Sequence, residues 1–352
     1  MRKFVVLLSS LSGVIVLVLL FAILSYSTPA TAAETASPKT FQAQQTSLPV
    51  NEVISDALTY IASHQQPDGG IDAFEFGSGS NPSGSARAAL ALVAAGRPAD
   101  SMVYSTTNFI IVDYLNSEVV TFTHDITGLL FPERAGLILA AASAANQDPT
   151  NFGGMDLISE LEATYDAATG AYHTEASGVF ATGAANDLNQ LWSILGLSSA
   201  GRPIPISATN YLLDSQGEDG AWGLGDPDTT GMAVVALIAS GNVAPIDEVI
   251  QNALGFFHDT QLPSGGWRPS WDTDPLNVDT TAWVMQALTS AGYIPVTASW
   301  ANAEGTPRSA LISQQQESGL IGGTYGNAYS TIEAVFGLTE KPMFMLGRSI
   351  RT

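Results

Sequence analysis

Two kinds of apolar stretch alternate along this chain. In one kind, apolar residues stand three and four apart with polar residues between them, as in "VISDALTYIASH" and "VIQNALGFFHD". That spacing lines one face of a helix and predicts amphipathic helices. The other kind is rich in Ala and Leu and apolar around most of its circumference: "SARAALALVAAGRP", "PERAGLILAAASAA", "NDLNQLWSILGLSSAGRP", "DTTGMAVVALIASG", "DTTAWVMQALTSAG" and "YSTIEAVFGLTEKP". A helix apolar on all sides belongs in an interior. The Leu residues taken as equivalent, Leu92, Leu139, Leu197, Leu237, Leu288 and Leu338, lie 47, 58, 40, 51 and 50 apart. Six helix pairs follow, and no run of alternating strand pattern competes with them. The second helices start with capping chemistry at Ser85, Pro132, Asn186, Asp228, Asp279 and Ser330.

A motif, Q-x-x-x-G-x-(W/I), stands between the two helices of a pair. It comprises Gln65, Gly69 and Ile71; Gln216, Gly220 and Trp222; Gln261, Gly265 and Trp267; and Gln315, Gly319 and Ile321. A weaker copy has Asp166, Gly170 and Tyr172, and a degenerate one is placed at Asn116 to Phe122. The Gln falls where the first helix should end, and its amide can serve loose carbonyls there. The Gly supplies left-handed backbone. The aromatic or Ile packs back on the neighbouring helix. A fixed period of about fifty residues marks a repeat architecture. The expectation is an all-α protein, an α/α toroid of six helix pairs over 50–345. Buried helices form an inner ring and amphipathic helices an outer ring. A linear solenoid is the rival arrangement.

The ends read differently. Met1, Arg2 and Lys3 precede an apolar run from Phe4 to about Tyr26, and "STPATAAE" follows. Positive start, apolar core and small-residue end describe a secretory signal over 1–33, cleaved near Ala32 or Ala33, or kept as an anchor through 4–26. Either way the chain is expected to be exported. Residues 34–49 are Ser/Thr/Gln/Pro-rich and read as a linker. Residues 346–352 form a tail.

The chain has no cysteine, which excludes thiolate metal ligands and cysteine nucleophiles. Its net charge of −21 argues against nucleic acid and anionic lipid as partners.

The recurring motif resembles that of the terpenoid-cyclase and protein-prenyltransferase toroids, the prenyltransferase/squalene-oxidase repeat group, over about 51–345. Squalene-hopene-type cyclases protonate their substrate with the middle acid of D-x-D-D-T-A. In "DPDTTG" that resemblance makes Asp228 the proton donor, with Thr229 where the next Asp would stand. Those cyclases carry a second helical domain, for which this chain has no residues. "NVDTTAWVMQAL" and "YGNAYSTIEAVFGL" are similar to segments of the cobalamin carriers, transcobalamin and intrinsic factor. That likeness implies Asp279, Asn327, Tyr329 and Ser330 on a ligand-facing rim, with Asp228 one repeat earlier and a corrinoid as a possible ligand. Protein prenyltransferases hold zinc through a Cys, which is missing here.

Several residues carry two readings. Asp228 and Asp279 read as helix caps or as ligand contacts. Trp222 and Trp267 read as packing. Trp192 and Trp283 read as core or as cavity-facing rings for an apolar ligand. Arg87 with Glu133 reads as a buried pair or as a polar cavity lining. Asp272, Asp274, Asn277 and Asp279 lie close together without the spacing of a calcium loop, so no metal is expected. Three functions stay open. The first is non-catalytic binding of a bulky, partly apolar, isoprenoid- or corrinoid-like molecule, needing no cofactor. The second is a terpenoid cyclase using Asp228. The third is a polysaccharide-acting enzyme with paired carboxylates.

Overall fold

The computed structural model describes residues 49–346, apart from 76, 78, 175–183, 275, 324 and 325, and leaves the side chains of 181–187 aside. The expected export segment, almost all of the linker and the tail fall outside these residues. Among the described residues, twelve α-helices alternate between two roles. The outer ones are α1 (Val50–Ser63), α3 (Ile111–Thr123), α5 (Leu157–Glu162), α7 (Ile206–Leu213), α9 (Glu248–Thr260) and α11 (Pro307–Ile312). The inner ones are α2 (Pro82–Ala94), α4 (Pro132–Ala144), α6 (Ala184–Ser199), α8 (Pro227–Ala239), α10 (Val278–Ser290) and α12 (Ala328–Thr339). Each inner helix packs on the inner helix before and after it, and α12 packs on α2. The inner ring is therefore closed, as the toroid reading expected.

Closure rests on specific bonds. Gln315 Nε2 donates to Val53 O at 2.8 Å. Tyr329 N donates to Ala73 O at 2.8 Å. The Arg87 guanidinium on α2 meets Glu333 on α12 at 2.9 Å. The sequence reading paired Arg87 with Glu133 instead. The true partner is 246 residues away along the chain, brought there only by ring closure.

The motif works as a clamp between repeats. Gln65, Gln216 and Gln261 each donate from Nε2 to the carbonyl of their own motif Gly and to a carbonyl of the next repeat, Met102, Val249 and Trp300 respectively. The expected role, capping the end of the preceding helix, belongs instead to the Trp. Trp222 Nε1 donates to Leu212 O and Trp267 Nε1 to Phe257 O, both at 2.8 Å. In the weak copy Asp166 cannot donate, and Gln190 from inner helix α6 takes over, bonding Gly170 O and Ala208 O. The degenerate copy is displaced. Asn116 to Phe122 lies inside α3, and the turn is formed by His124 to Leu130, which pair in a bridge around Gly128.

The motif Gly is required twice over. Gly319 has φ +91°, and a Cβ there would lie 2.3 Å from Asp56 O on α1. Gly319→Ala should therefore lower stability by about 1–3 kcal/mol through left-handed strain and displacement of α1. Urea denaturation of the variant checks this, and an unchanged midpoint would show that α1 yields freely.

Helix starts correct another expectation. The N-caps are Asn81, Asp226, Asn277 and Asn327, whose side chains accept from Gly84 N, Thr229 N, Thr280 N and Ser330 N. Ser85, Asp228 and Asp279 lie inside the first turns, whereas Ser330, the third helical residue of α12, does take part in capping, its hydroxyl accepting from Asn327 N. Pro132 is the first helical residue of α4, where its missing N–H costs nothing. Asn186 is among the residues whose side chains are not described. In α4 the residue equivalent to Leu92, counted from the helix start, is Ala142 and not Leu139. The fourth inner-helix residue ties the motif down: Ser85, Thr230, Thr281 and Thr331 accept from the backbone N of Ile71, Trp222, Trp267 and Ile321 at 2.9–3.0 Å. Gln190 does the same for Tyr172, which fixes the register of α6.

Candidate functional site at the inner-helix N-terminal end

Counting from these locks, the second inner-helix residues are Ser83, Glu133, Leu188, Asp228, Asp279 and Tyr329. Four residues later, on the same helix face, come Arg87, Leu137, Trp192, Met232, Trp283 and Glu333. These two layers face the ring axis, and contacts across it confirm the register. Arg87 lies 4.8 Å above the Trp192 ring and 5.3 Å from that of Tyr329. Trp192 and Trp283 meet edge to face at 6.1 Å. Glu333 was missed by the sequence reading. Its signal was a lone charge in an apolar helix, four residues after Tyr329.

The layers differ in character around the ring. On the side of α2, α4 and α6 they enclose a cavity of about 320 Å³, lined by Ser83, Arg87, Glu133, Leu137, Leu188 and Trp192, with Phe122 and Arg134 at its edge. That volume is at the small end of the ~300–1,000 Å³ range of ligand pockets, and its walls mix apolar surface with a few polar groups. On the other side stand Asp228, Asp279 and Glu333.

Asp228 and Asp279 are half-buried, yet Oδ1 of each is sealed from solvent and lacks a hydrogen-bond partner. Burial lifts the Asp228 carboxyl well above the ordinary carboxylate range; Asp226, Asp279 and Glu333 add to the rise and Arg87 opposes it. Burial raises Asp279 to about 7, with Glu333 adding and Arg87 opposing. Burial works against the charge on Arg87, but Tyr329, Glu333, Asp228 and Asp279 outweigh it and hold the guanidinium protonated. Glu333 is lifted by burial and drawn back by Arg87 and by a hydrogen bond from Tyr329. One cation thus faces three carboxyls, and the arrangement is neutral when Asp228 and Asp279 keep their protons. A neutral carboxylic acid in such a setting donates a hydrogen bond or a proton.

The remaining singled-out residues fall into place around this end. Trp283 is buried against Trp192, and Trp222 and Trp267 are buried in the outer shell. Asn327 and Ser330 exchange capping hydrogen bonds. Ser330 and Asp279 border a second pocket of only about 90 Å³, with Asp272, Asp274 and Asn277. Such a space holds a few waters. Asp272 accepts from Asn277 Nδ2 and Asp274 N, which makes the acidic run a folded loop. Among the described residues no group is arranged to hold a metal ion.

No protein-family model matches the chain. Solved structures of the same fold do. The type II terpene cyclase MstE from Scytonema is 16% identical, with a TM-score of 0.58 over 84% of this chain and 98% of that one. The α-1,6-mannanase GH76A from Salegentibacter sp. HEL1_6 is 12% identical, with a TM-score of 0.58 over 84% of this chain and 100% of that one. The chain has the α/α-toroid fold that the cyclase and the mannanase share, and identities this low establish the fold and nothing finer.

Proposed function

We propose that the inner-helix N-terminal end of this toroid binds a bulky, partly apolar small molecule and presents Asp228 to it as a neutral carboxylic acid. The observation that carries this reading is the Asp228 carboxyl itself, lifted well above the ordinary carboxylate range by burial, with Oδ1 unpartnered, on the axial face across the ring from a partly apolar cavity. An acid kept protonated by its surroundings is what protonation of an isoprenoid double bond requires. The activity that follows is a terpenoid-cyclase-type isomerisation, in an exported protein.

Two features that weighed against catalysis lose force. Thr229 stands where a second Asp would be, but Asp279 brings a second carboxyl to Asp228 from the neighbouring helix. The second helical domain that squalene-hopene-type cyclases carry is not a requirement either, since this toroid matches 98% of the chain of MstE, a type II terpene cyclase. Binding without turnover is the second reading. Thr229 favours it to the extent that the carboxyl directly following Asp228 on its own helix is needed for turnover, in which case the acid only donates a hydrogen bond.

Incubating the protein with linear polyprenols and polyprenoic acids, and with a corrinoid as comparison, separates the two. The expected result is a product of unchanged mass and new retention time from a polyprenyl compound. Asp228→Asn should abolish that product, a loss of at least about 10²-fold for removal of a general acid, while the melting temperature stays within a degree or two. Retention of an intact compound with no isomer would favour the binding reading. Turnover undiminished in the Asn variant would remove Asp228 from the mechanism.

A further inference from the structure

The mouth of the axial cavity holds a feature that proton donation does not use. Arg134, the third residue of α4, lies over two aromatic faces, 4.1 Å from the Phe131 ring and 5.3 Å from the Phe122 ring. Its Nη1 donates to Phe122 O at 3.2 Å. These contacts fix a planar cation in place before any ligand arrives, and a guanidinium has five N–H groups in all. Its nearest acid, Glu133, is 3.9 Å away, too far for a hydrogen bond. Arg134 stays 38% exposed at the cavity edge. This chain has 12 basic residues (Lys and Arg) against 33 acidic ones, so a preset cation beside a partly apolar cavity stands out against its field.

We propose that Arg134 receives the carboxylate of an amphiphilic ligand whose apolar body lies along Phe122, Leu137, Leu188 and Trp192. The count of charges limits the head group to a single negative charge. Arg87, at the inner end of the same cavity, is already neutralised by Glu333. Arg134 balances one ligand charge when Glu133, 3.9 Å away in the same lining and lifted by burial, holds its proton, and a diphosphate would bring uncompensated charge into a chain of net −21. The ligand would then lie with its head at the mouth and its apolar end toward the axis. This inference rests on the reading of this end as the ligand site, but not on proton transfer by Asp228.

Trp192 lines the cavity, so its fluorescence reports occupancy. The purified full chain would be titrated with farnesoic acid, farnesol and farnesyl diphosphate. The acid should bind about tenfold more tightly than the alcohol, the worth of one charge-assisted hydrogen bond. Arg134→Gln should erase that preference while leaving farnesol binding unchanged, and Arg134→Lys should restore part of it. Equal binding of acid and alcohol to the wild type would overturn the head-group site while leaving the apolar ligand site intact. So would a preference that survives in Arg134→Gln, or tightest binding by the diphosphate. Binding of no probe at all would overturn both. Loss of turnover in Asp228→Asn with the acid preference kept would separate the two proposals in favour of both.

Discussion

Replacing Glu333 with Ala should destabilise the protein by about 3–5 kcal/mol. The reason is what the change leaves behind. Glu333 is 1% exposed and Arg87 8% exposed, and the two share a 2.9 Å charge-assisted bond. Without Glu333 the guanidinium stays between the Trp192 and Tyr329 rings with its counter-ion gone, while its Nε already lacks a partner. A buried unpaired cation costs far more than a lost contact. The double variant Arg87→Met, Glu333→Leu removes both charges at similar volume and should recover most of the loss. Chemical denaturation of the two variants decides the matter. A single variant within 1 kcal/mol of wild type would mean that Asp279 ionises to replace Glu333, and a lowered Asp279 pKa would then be visible by NMR titration. A double variant as unstable as the single one would mean that the pair contributes mainly by packing.

Asp279→Asn should act in the opposite direction and only at higher pH. In the folded chain Asp279 keeps its proton up to about pH 7, against 3.8 for an ordinary Asp side chain. Between those values the folded state holds a proton that the unfolded state has released. Stability therefore falls as pH rises through that window. The loss is absent below about pH 4 and complete above pH 7. The span corresponds to roughly 2–4 kcal/mol, with the lower end allowing for partial exposure. Asn keeps the shape and cannot ionise. The variant should match wild type near pH 4 and exceed it by that amount at pH 8. Asp125, Asp156, Asp166 and Asp272, whose carboxyls are held low, give the reverse slope in acid, but they are present in both proteins and cancel. Parallel stability–pH curves for the two proteins would show that Asp279 titrates normally.

Stabilisation on removal of a charge is the signature of a residue kept for function. Asp279 fits that description better than it fits a cap, since Asn277 already caps α10. The cap reading came from a real regularity, an acidic or hydroxyl residue near the start of each Ala-rich helix. A shift of two residues changes its meaning. At the cap position a carboxylate faces amides and is solvated. At the second helical position of these inner helices it faces the ring axis.

The sequence by itself determined the number of repeats, the alternation of outer and inner helices and the place of the motif. Each of these follows from local chemistry. Helical periodicity is written in neighbouring residues, Pro and Gly mark helix ends, and Gln65, Gln216, Gln261 and Gln315 recur because each repeat needs the same clamp. The axial layers were legible only in part. Asp228, Asp279, Tyr329 and Trp283 were picked out, while Glu333 and Leu188 were not. Tertiary structure alone decided three things. It closed the ring through contacts such as Gln315 with Val53, between segments at opposite ends of the sequence. It chose Glu333 over Glu133 as the partner of Arg87, because charge pairing depends on which helices become neighbours. It also lifted two aspartates above the ordinary carboxylate range, because a carboxyl's pKa is set by the water it loses and the charges it meets, and neither is encoded near it in the chain.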